Sequence, residues 1–190
     1  NDVWFLGRWI GPYPCTNSTR PAMAMHWDGS NISLVPTPVL AGSQSIHAAD
    51  SSGPSDVWAI GGMSSAQTQY PYVVHWDGQQ WSHVLMPPAG VTQSVYDISV
   101  LAPNDVWVLA LRNVGTGTGN FLMHYNGTGW TQSAVPNLGS MFMTAASDIW
   151  IAGAQIEHFD GSVWNVVDDF SCIPGASFAA LDGSGASLWA

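Results

Sequence analysis

Apolar and polar residues alternate in short runs along this chain, and turn-forming residues separate the runs. In one stretch the runs lie at residues 95–101, 106–111, 121–125 and 130–135. Asn126-Gly127 stands between the last two, and Asn-Gly between apolar runs is a strong hairpin signal. We find no segment with apolar residues at helical spacing. The pattern predicts a unit of four antiparallel strands, called A to D in chain order.

Three motifs recur in the same order four times. The first is Asp2-Val3-Trp4, Asp56-Val57-Trp58, Asp105-Val106-Trp107 and Asp148-Ile149-Trp150. The second, histidine-aromatic-Asp/Asn-Gly, starts at His26, His75, His124 and His158. The third is an apolar residue six positions after each histidine, namely Ile32, Trp81, Trp130 and Trp164. A degenerate copy of the first motif, Ser187-Leu188-Trp189, follows near the end of the sequence. Such ordered repetition indicates a repeat architecture.

The repeats predict an all-β fold, a β-propeller of four-stranded antiparallel blades with about four repeats and part of a fifth. Strand B is apolar on both of its faces, which implies burial between neighbouring sheets. Units of roughly 40–50 residues with this pattern are typical of propeller blades. We expect one domain, with blades at about 1–40, 41–90, 91–137, 138–170 and, in part, 171–190. The first blade lacks strand A, so either the chain is a fragment of a larger propeller or its terminal strand closes the ring.

Two phrases resemble a known kind of repeat: the run that starts Ser55-Asp56-Val57-Trp58, and His75-Trp76-Asp77-Gly78 with Trp81. Both are similar to the repeats of secreted bacterial β-propeller proteins of the Kelch/galactose-oxidase-like or Asp-box-like type. The resemblance covers nearly the whole chain. It implies the propeller fold and secretion, but no single activity, because such propellers include sensors, lectin-like binders, structural modules and some enzymes.

Charge excludes several classes of partner. Asp and Glu number 13 against three arginines, lysine is absent, and the formal net charge is −10. Nucleic acid binding and adhesion to an anionic membrane both require clustered cations. No apolar run approaches the roughly 20 residues that span a bilayer. A surface of uncharged polar residues favours a secreted, extracellular or cell-surface location, and three candidate N-glycosylation sites occur, at Asn17, Asn31 and Asn126.

The repeated histidine allows two interpretations. A histidine near an aspartate could ligate a metal or act as an acid or base. Alternatively, the histidine ends strand C and bonds to backbone or to the aspartate of the first motif, while the second acid only starts the hairpin turn. Copies on successive blades diverge, so they do not converge on one ion. We therefore predict a structural role, with no metal, no catalytic residue and no cofactor.

The two cysteines fall in loops that a propeller would place on the same face. Cys15 lies in a B–C loop and Cys172 in a D–A loop. Because an extracellular protein keeps its disulfides, we predict a Cys15–Cys172 bridge. A larger ring would separate the two residues and exclude it.

Ligands of propellers usually bind at the face formed by the B–C and D–A loops. On this face we expect a candidate ligand site made of Trp9, Tyr13, Arg20, Tyr70 and Arg112. Tyr72 and the pair Asp168 and Asp169 fall in the same loops. Exposed aromatic and amide groups suit stacking on sugars, although incidental aromatics in solvated loops would give the same pattern.

Three functions follow, in order of preference. The first is a non-enzymatic extracellular module that binds a glycan or an extracellular protein through its loop face. The second is a structural subunit of a cell-surface or filamentous polymer, in which subunits self-associate by strand exchange. The third is a sialidase-like glycoside hydrolase, which is disfavoured because two of the three arginines share one loop and the only glutamate, Glu157, lies inside strand C.

Overall fold

A computed structural model describes residues 2–9, 19–65, 68–87, 93–114, 117–172, 178, 180–184 and 187–189. Every regular element in these ranges is a β-strand. The strands are β1 (Val3–Arg8), β2 (Ala22–Trp27), β3 (Ile32–Leu34), β4 (Ser43–Gly53), β5 (Asp56–Ser65), β6 (Thr68–Trp76), β7 (Trp81–His83), β8 (Gln93–Ala102), β9 (Asp105–Val114), β10 (Gly117–Tyr125), β11 (Trp130–Ala134), β12 (Gly139–Ala145), β13 (Asp148–Gly153), β14 (Ile156–Phe159), β15 (Trp164–Asp168), β16 (Asp182–Ser184) and β17 (Ser187–Trp189). The predicted all-β class is confirmed.

The strands form separate antiparallel sheets, each built from consecutive strands. Three sheets have four strands, in the orders β4-β5-β6-β7, β8-β9-β10-β11 and β12-β13-β14-β15. The first sheet, β1-β2-β3, has three strands and β16-β17 has two. No sheet closes on itself. The repeated-sheet architecture that the motifs predict is therefore confirmed, and strand A is the strand that the first sheet lacks among the described residues.

The connection between strands B and C differs from the prediction. Residues 112–120 were expected to form a Gly- and Asn-rich loop, but β9 and β10 pair as far as Val114 and Gly117. In the second sheet, β5 and β6 pair as far as Ser65 and Thr68. Hairpin pairing continues beyond the apolar run because the backbone groups of polar residues bond across a ladder as well as those of apolar ones. Tyr70, Tyr72 and Arg112 therefore lie in strands and not in loops.

The chain forms two compact units, residues 1–95 and 96–190. In the first unit, Ala24 of β2 packs in one core with Val57 and Tyr72 of the second sheet. In the second unit, Leu109 of β9 packs in one core with Met141 and Ile151 of the next sheet. Within each unit, two consecutive sheets thus pack face to face, and this buries one of the two apolar faces of strand B.

The burial of strand B follows the prediction in three sheets and departs from it in the first. Trp58 is only 2% exposed, and its neighbours on both faces of β5 are buried. By contrast, Phe5 of β1 is 50% exposed, while Trp4 on the opposite face packs into the core. Ile32, the copy of the third motif in the first sheet, is 52% exposed, whereas its counterpart Trp81 is 5% exposed. The outer face of the first sheet is left apolar and open.

Candidate functional site

The four repeated histidines have the same partner in every copy. Each Nε2 bonds to the aspartate of the first motif, at 2.6 Å for His26–Asp2, 2.6 Å for His75–Asp56, 2.8 Å for His124–Asp105 and 2.7 Å for His158–Asp148. The predicted hydrogen bond between the histidine and the aspartate of the first motif is confirmed, and a structural role stays the prediction. The histidines lie in different sheets, and the described part of the chain contains no group of three His, Cys, Asp or Glu side chains suited to a metal.

The motif tryptophan completes the cluster. Its ring stacks on the histidine, with centroids 4.4 Å apart for Trp58 and His75 and 3.9 Å apart for Trp107 and His124. The Nε1 of Trp58 also donates to Asp56, at 3.2 Å. One carboxylate thus holds two aromatic rings from neighbouring strands, and in every copy the motif tryptophan is paired with the motif histidine across the two strands.

Not all copies of the cluster are alike. In the second and fourth copies a hydroxyl four residues before the aspartate, Ser52 or Thr144, donates to its second oxygen. The hydrogen bond from Thr144 is the largest cause holding the pKa of Asp148 below its usual range, with that from His158 next. In the first copy the Nε1 of Trp4 is buried without a partner. The second copy is the most buried, with 10% of the Asp56 side chain exposed against 38% for Asp148.

The acid of the second motif forms the hairpin turn. Asp77 accepts the backbone N–H groups of Gln79 and Gln80, both at 2.8 Å, and these bonds lower its pKa. Asn126 accepts two backbone N–H groups in the same way, so an amide replaces the acid without loss of the turn. Gly78 has a φ of +91°, and a Cβ there would lie 2.8 Å from the Cβ of Ser55. The contacts of the histidine-aromatic-Asp/Asn-Gly motif are therefore those of a hairpin turn.

A polar cavity of about 620 Å³ lies in the first unit, away from these clusters. It is formed where β1 and β5 end and where β4 and β6 begin, which are the ends that carry the B–C and D–A connections. Its lining consists of Arg8, Trp9, Arg20, Ser43, Gln44, Ser45, His47, Gly61, Gly62, Met63, Ser64, Gln69, Tyr70, Ser94 and Val95. Its charged and aromatic members, Arg8, Trp9, Arg20, His47 and Tyr70, have no residue of the same type at the equivalent positions of the other repeats.

Three of the predicted ligand residues meet in this cavity: Trp9, Arg20 and Tyr70. Trp9 follows β1 directly and is 37% exposed. Arg112 does not join them, because it lies in the second unit, where it donates to Gln132 and stands over the ring of Phe121. Tyr13 lies outside the described residues.

Tyr72 is excluded from the face on which the sequence placed it. It is fully buried in β6, and its hydroxyl donates to the carbonyl of Pro38 at 2.7 Å. Burial raises the pKa of Tyr72 to about 12. Tyr70 and Tyr72 are two residues apart on one strand and therefore share a face of the sheet, yet only Tyr70 lies close enough to the start of β6 to line the cavity.

Several residues that line the cavity were not among the candidates predicted from the sequence. Gln44 is buried and donates to the carbonyls of Leu40 and Gly42. His47 is exposed and bonds through Nε2 to the carbonyl of Val95 at 2.9 Å. His47 lies outside the repeated motif, and this is the feature of the sequence that could have marked it as a candidate site residue. An apolar groove of about 370 Å³ shares Trp9 with the cavity and continues towards Met23 and Val39.

None of the other candidate residues that the structure describes lines the cavity. Cys172 is an exposed free cysteine, and Cys15 lies outside the described residues, so the predicted disulfide gains no support. Asn31 and Asn126 are exposed, and Asn17 is outside the described residues. Asp168 and Asp169 accept backbone N–H groups of the residues two positions on.

Glu157 differs from its counterparts in the other repeats. The residues before the other three motif histidines are Met25, Val74 and Met123. Glu157 is 3% exposed, its Oε2 has no hydrogen-bond partner, and burial raises its pKa. It lies in the second unit, so it takes no part in the cavity.

No protein-family model matches the sequence, and no curated protein shows significant similarity to it. None of the described residues forms a helix of the length and apolarity that a membrane span requires.

Proposed function

We propose that this protein is a non-enzymatic, extracellular binding module of the β-propeller type that recognises a glycan through the polar cavity of its first unit. The observation that carries the proposal is the meeting of Trp9 and Tyr70 with uncharged polar groups in one cavity. Aromatic faces stack on the C–H groups of a sugar ring, while amides and hydroxyls bond to its hydroxyls. The cavity volume falls in the range of about 300–1,000 Å³ that is common for ligand sites.

The propeller assignment is supported by the sheets themselves. Each four-stranded sheet is a simple meander, and consecutive sheets within a unit pack face to face through strand B. Blades of a propeller have this construction. An extracellular location remains a proposal based on the low proportion of charged residues and on the exposed sequons at Asn31 and Asn126.

A binding role is preferred to hydrolysis because of the chemistry of the lining. Most glycoside hydrolases use a pair of carboxyl groups on either side of the bond that is cleaved. The described lining of the cavity contains neither aspartate nor glutamate. The residues that are present can hold and orient a saccharide, but they offer no such pair.

A glycan array tests the proposal. Wild-type protein is expected to bind a restricted set of saccharides, and Trp9→Ala and Tyr70→Ala are each expected to abolish or strongly weaken that binding. Tyr96→Ala is the control, because Tyr96 is an aromatic residue that is 41% exposed, against 37% for Trp9, and does not line the cavity. A silent array, or equal losses in all three variants, would refute the proposal.

One observation favours the second candidate, self-association by strand exchange. The free edge of β1 pairs with no described strand, and Val3 and Phe5 leave an exposed apolar surface beside it. Edge strands of this kind add strands from other chains. Light scattering is expected to show multimers that Phe5→Lys dissolves and that Leu85→Lys, at an exposed apolar residue outside this sheet, leaves intact. A monomer at all concentrations would exclude this candidate.

A further inference from the structure

The cavity gathers most of the permanent positive charge of an acidic protein. The chain has three arginines and no lysine, against 13 acids. Arg8 and Arg20 both line the cavity, and the exposed imidazole of His47 lies in the same lining. No carboxylate is present there, and neither arginine forms an ion pair within the described part of the chain.

Ordinary sheet pairing places the two arginines. Arg8 is the last residue of β1 and pairs with Ala22 at the start of β2. Arg20 is fixed by its backbone, which donates to the carbonyl of Gly42 at 3.0 Å and accepts from the N–H of Gln44 at 2.7 Å. Both side chains are exposed. The backbones of both arginines are thus held by hydrogen bonds to neighbouring strands, while their side chains are accessible to a ligand.

The acids of this unit lie at the opposite ends of the same strands. On β5, Asp56 starts the strand and the cavity residue Ser64 is near its end, and Ser64 pairs with Ser43 at the start of β4. The other aspartates of residues 1–95 are Asp2, Asp28, Asp50 and Asp77. Asp2, Asp28 and Asp77 lie next to the strand ends that carry the two hairpin turns, and Asp50 lies three residues before that end of β4. Positive and negative charge are therefore separated along the strands.

We propose that the ligand of this cavity is a saccharide that carries a carboxylate, such as a uronic or nonulosonic acid; this inference rests on the proposed glycan-binding function. The planar guanidinium groups of Arg8 and Arg20 match a carboxylate, to which arginine donates two parallel hydrogen bonds. Trp9 and Tyr70 supply the surface for the sugar ring. Densely charged polyanions are disfavoured, because the net charge of −10 repels them at long range.

An array that displays neutral, carboxylated and sulfated saccharides together tests the ligand class. The strongest signals are expected from carboxylated saccharides, and methyl esterification of the best one is expected to weaken binding about tenfold or more, as loss of a charged hydrogen-bond pair implies. Equal binding of neutral saccharides would overturn this inference and leave the proposed function standing. Binding of sulfated saccharides alone would also overturn it. The absence of any binding would overturn both.

Charge-neutral variants test the residues. Arg8→Gln and Arg20→Gln are each expected to weaken the affinity for the selected carboxylated saccharide about tenfold. Arg112→Gln removes the same charge from the second unit and is expected to leave the affinity unchanged. Near-ultraviolet circular dichroism checks that all three variants keep the wild-type packing of aromatic rings. Equal losses in all three would attribute the effect to net charge and overturn the assignment to the cavity.

Discussion

Removal of the Asp56 carboxylate is the sharpest perturbation of the repeated cluster. Asp56 accepts hydrogen bonds from His75 at 2.6 Å, from Trp58 at 3.2 Å and from the hydroxyl of Ser52. In Asp56→Ala, all three donors lose their acceptor. The indole N–H of Trp58 loses it inside the core, because that residue is 2% exposed.

The magnitude follows from burial. Removing one partner of a buried charged network costs about 3–5 kcal/mol, because the other groups stay desolvated. We expect a loss of that size for Asp56→Ala. Asp148 makes the same contacts, but 38% of its side chain is exposed. Water can replace part of the hydrogen bonding that is lost there, so Asp148→Ala is expected to lower the free energy of unfolding by about 1–2 kcal/mol. Asp56→Asn keeps one acceptor oxygen and is expected to fall between the two.

Urea denaturation followed by far-ultraviolet circular dichroism measures these free energies of unfolding. The predicted order of destabilisation is Asp56→Ala, then Asp56→Asn, then Asp148→Ala, with the wild type the most stable. A cost below about 1 kcal/mol for Asp56→Ala, or equal costs for the two alanine variants, would refute the reasoning from burial.

The other predictions concern the hairpin turn at Asp77-Gly78 and the buried Glu157. Gly78→Ala is expected to cost about 1–2 kcal/mol because of its positive φ, whereas Gly53→Ala, with open space around the new Cβ, should change the free energy of unfolding little. The pKa of Asp77 is held below 3.8, so its contribution to stability is present above pH 3.8 and is lost as the pH falls through the folded-state pKa; Asp77→Asn should therefore lose less stability in acid than wild type, as acid titration of unfolding measures. The pKa of Glu157 is raised instead, so the charged form opposes folding as the pH rises above 4.5. Glu157→Met should raise the midpoint of thermal unfolding at pH 7, by an amount that shrinks towards pH 4, and an unchanged midpoint at pH 7 would contradict this.

The sequence predicted the hairpin turns and the contacts of the repeated motifs because turn and strand patterns depend on residues that are close together in the sequence. The turn at Asn126-Gly127 and the bond between His75 and Asp56 both follow from residues within one repeat. The sequence did not predict that β6 pairs as far as Gln69 and Tyr70. These residues do not extend the apolar run by which the strand was recognised, but their backbones pair with β5 all the same.

The cavity could be predicted only in part. Trp9 and Arg20 stood out because they do not repeat, but their meeting with Ser43 and His47 depends on packing between two sheets. That packing is set by core contacts, such as Ala24 with Val57, which no local pattern contains.

The central claim is that the repeated motif is a scaffold and that ligand binding belongs to the cavity that does not repeat. The most direct test is an NMR titration of protein labelled at its 11 tryptophan indoles with the saccharide selected on the array, with Trp9→Phe used to assign the Trp9 signal. The account predicts that the indole signal of Trp9 shifts and saturates, while those of Trp58, Trp107 and Trp150 stay in place. Shifts in the indoles of these three residues with Trp9 unmoved would contradict it.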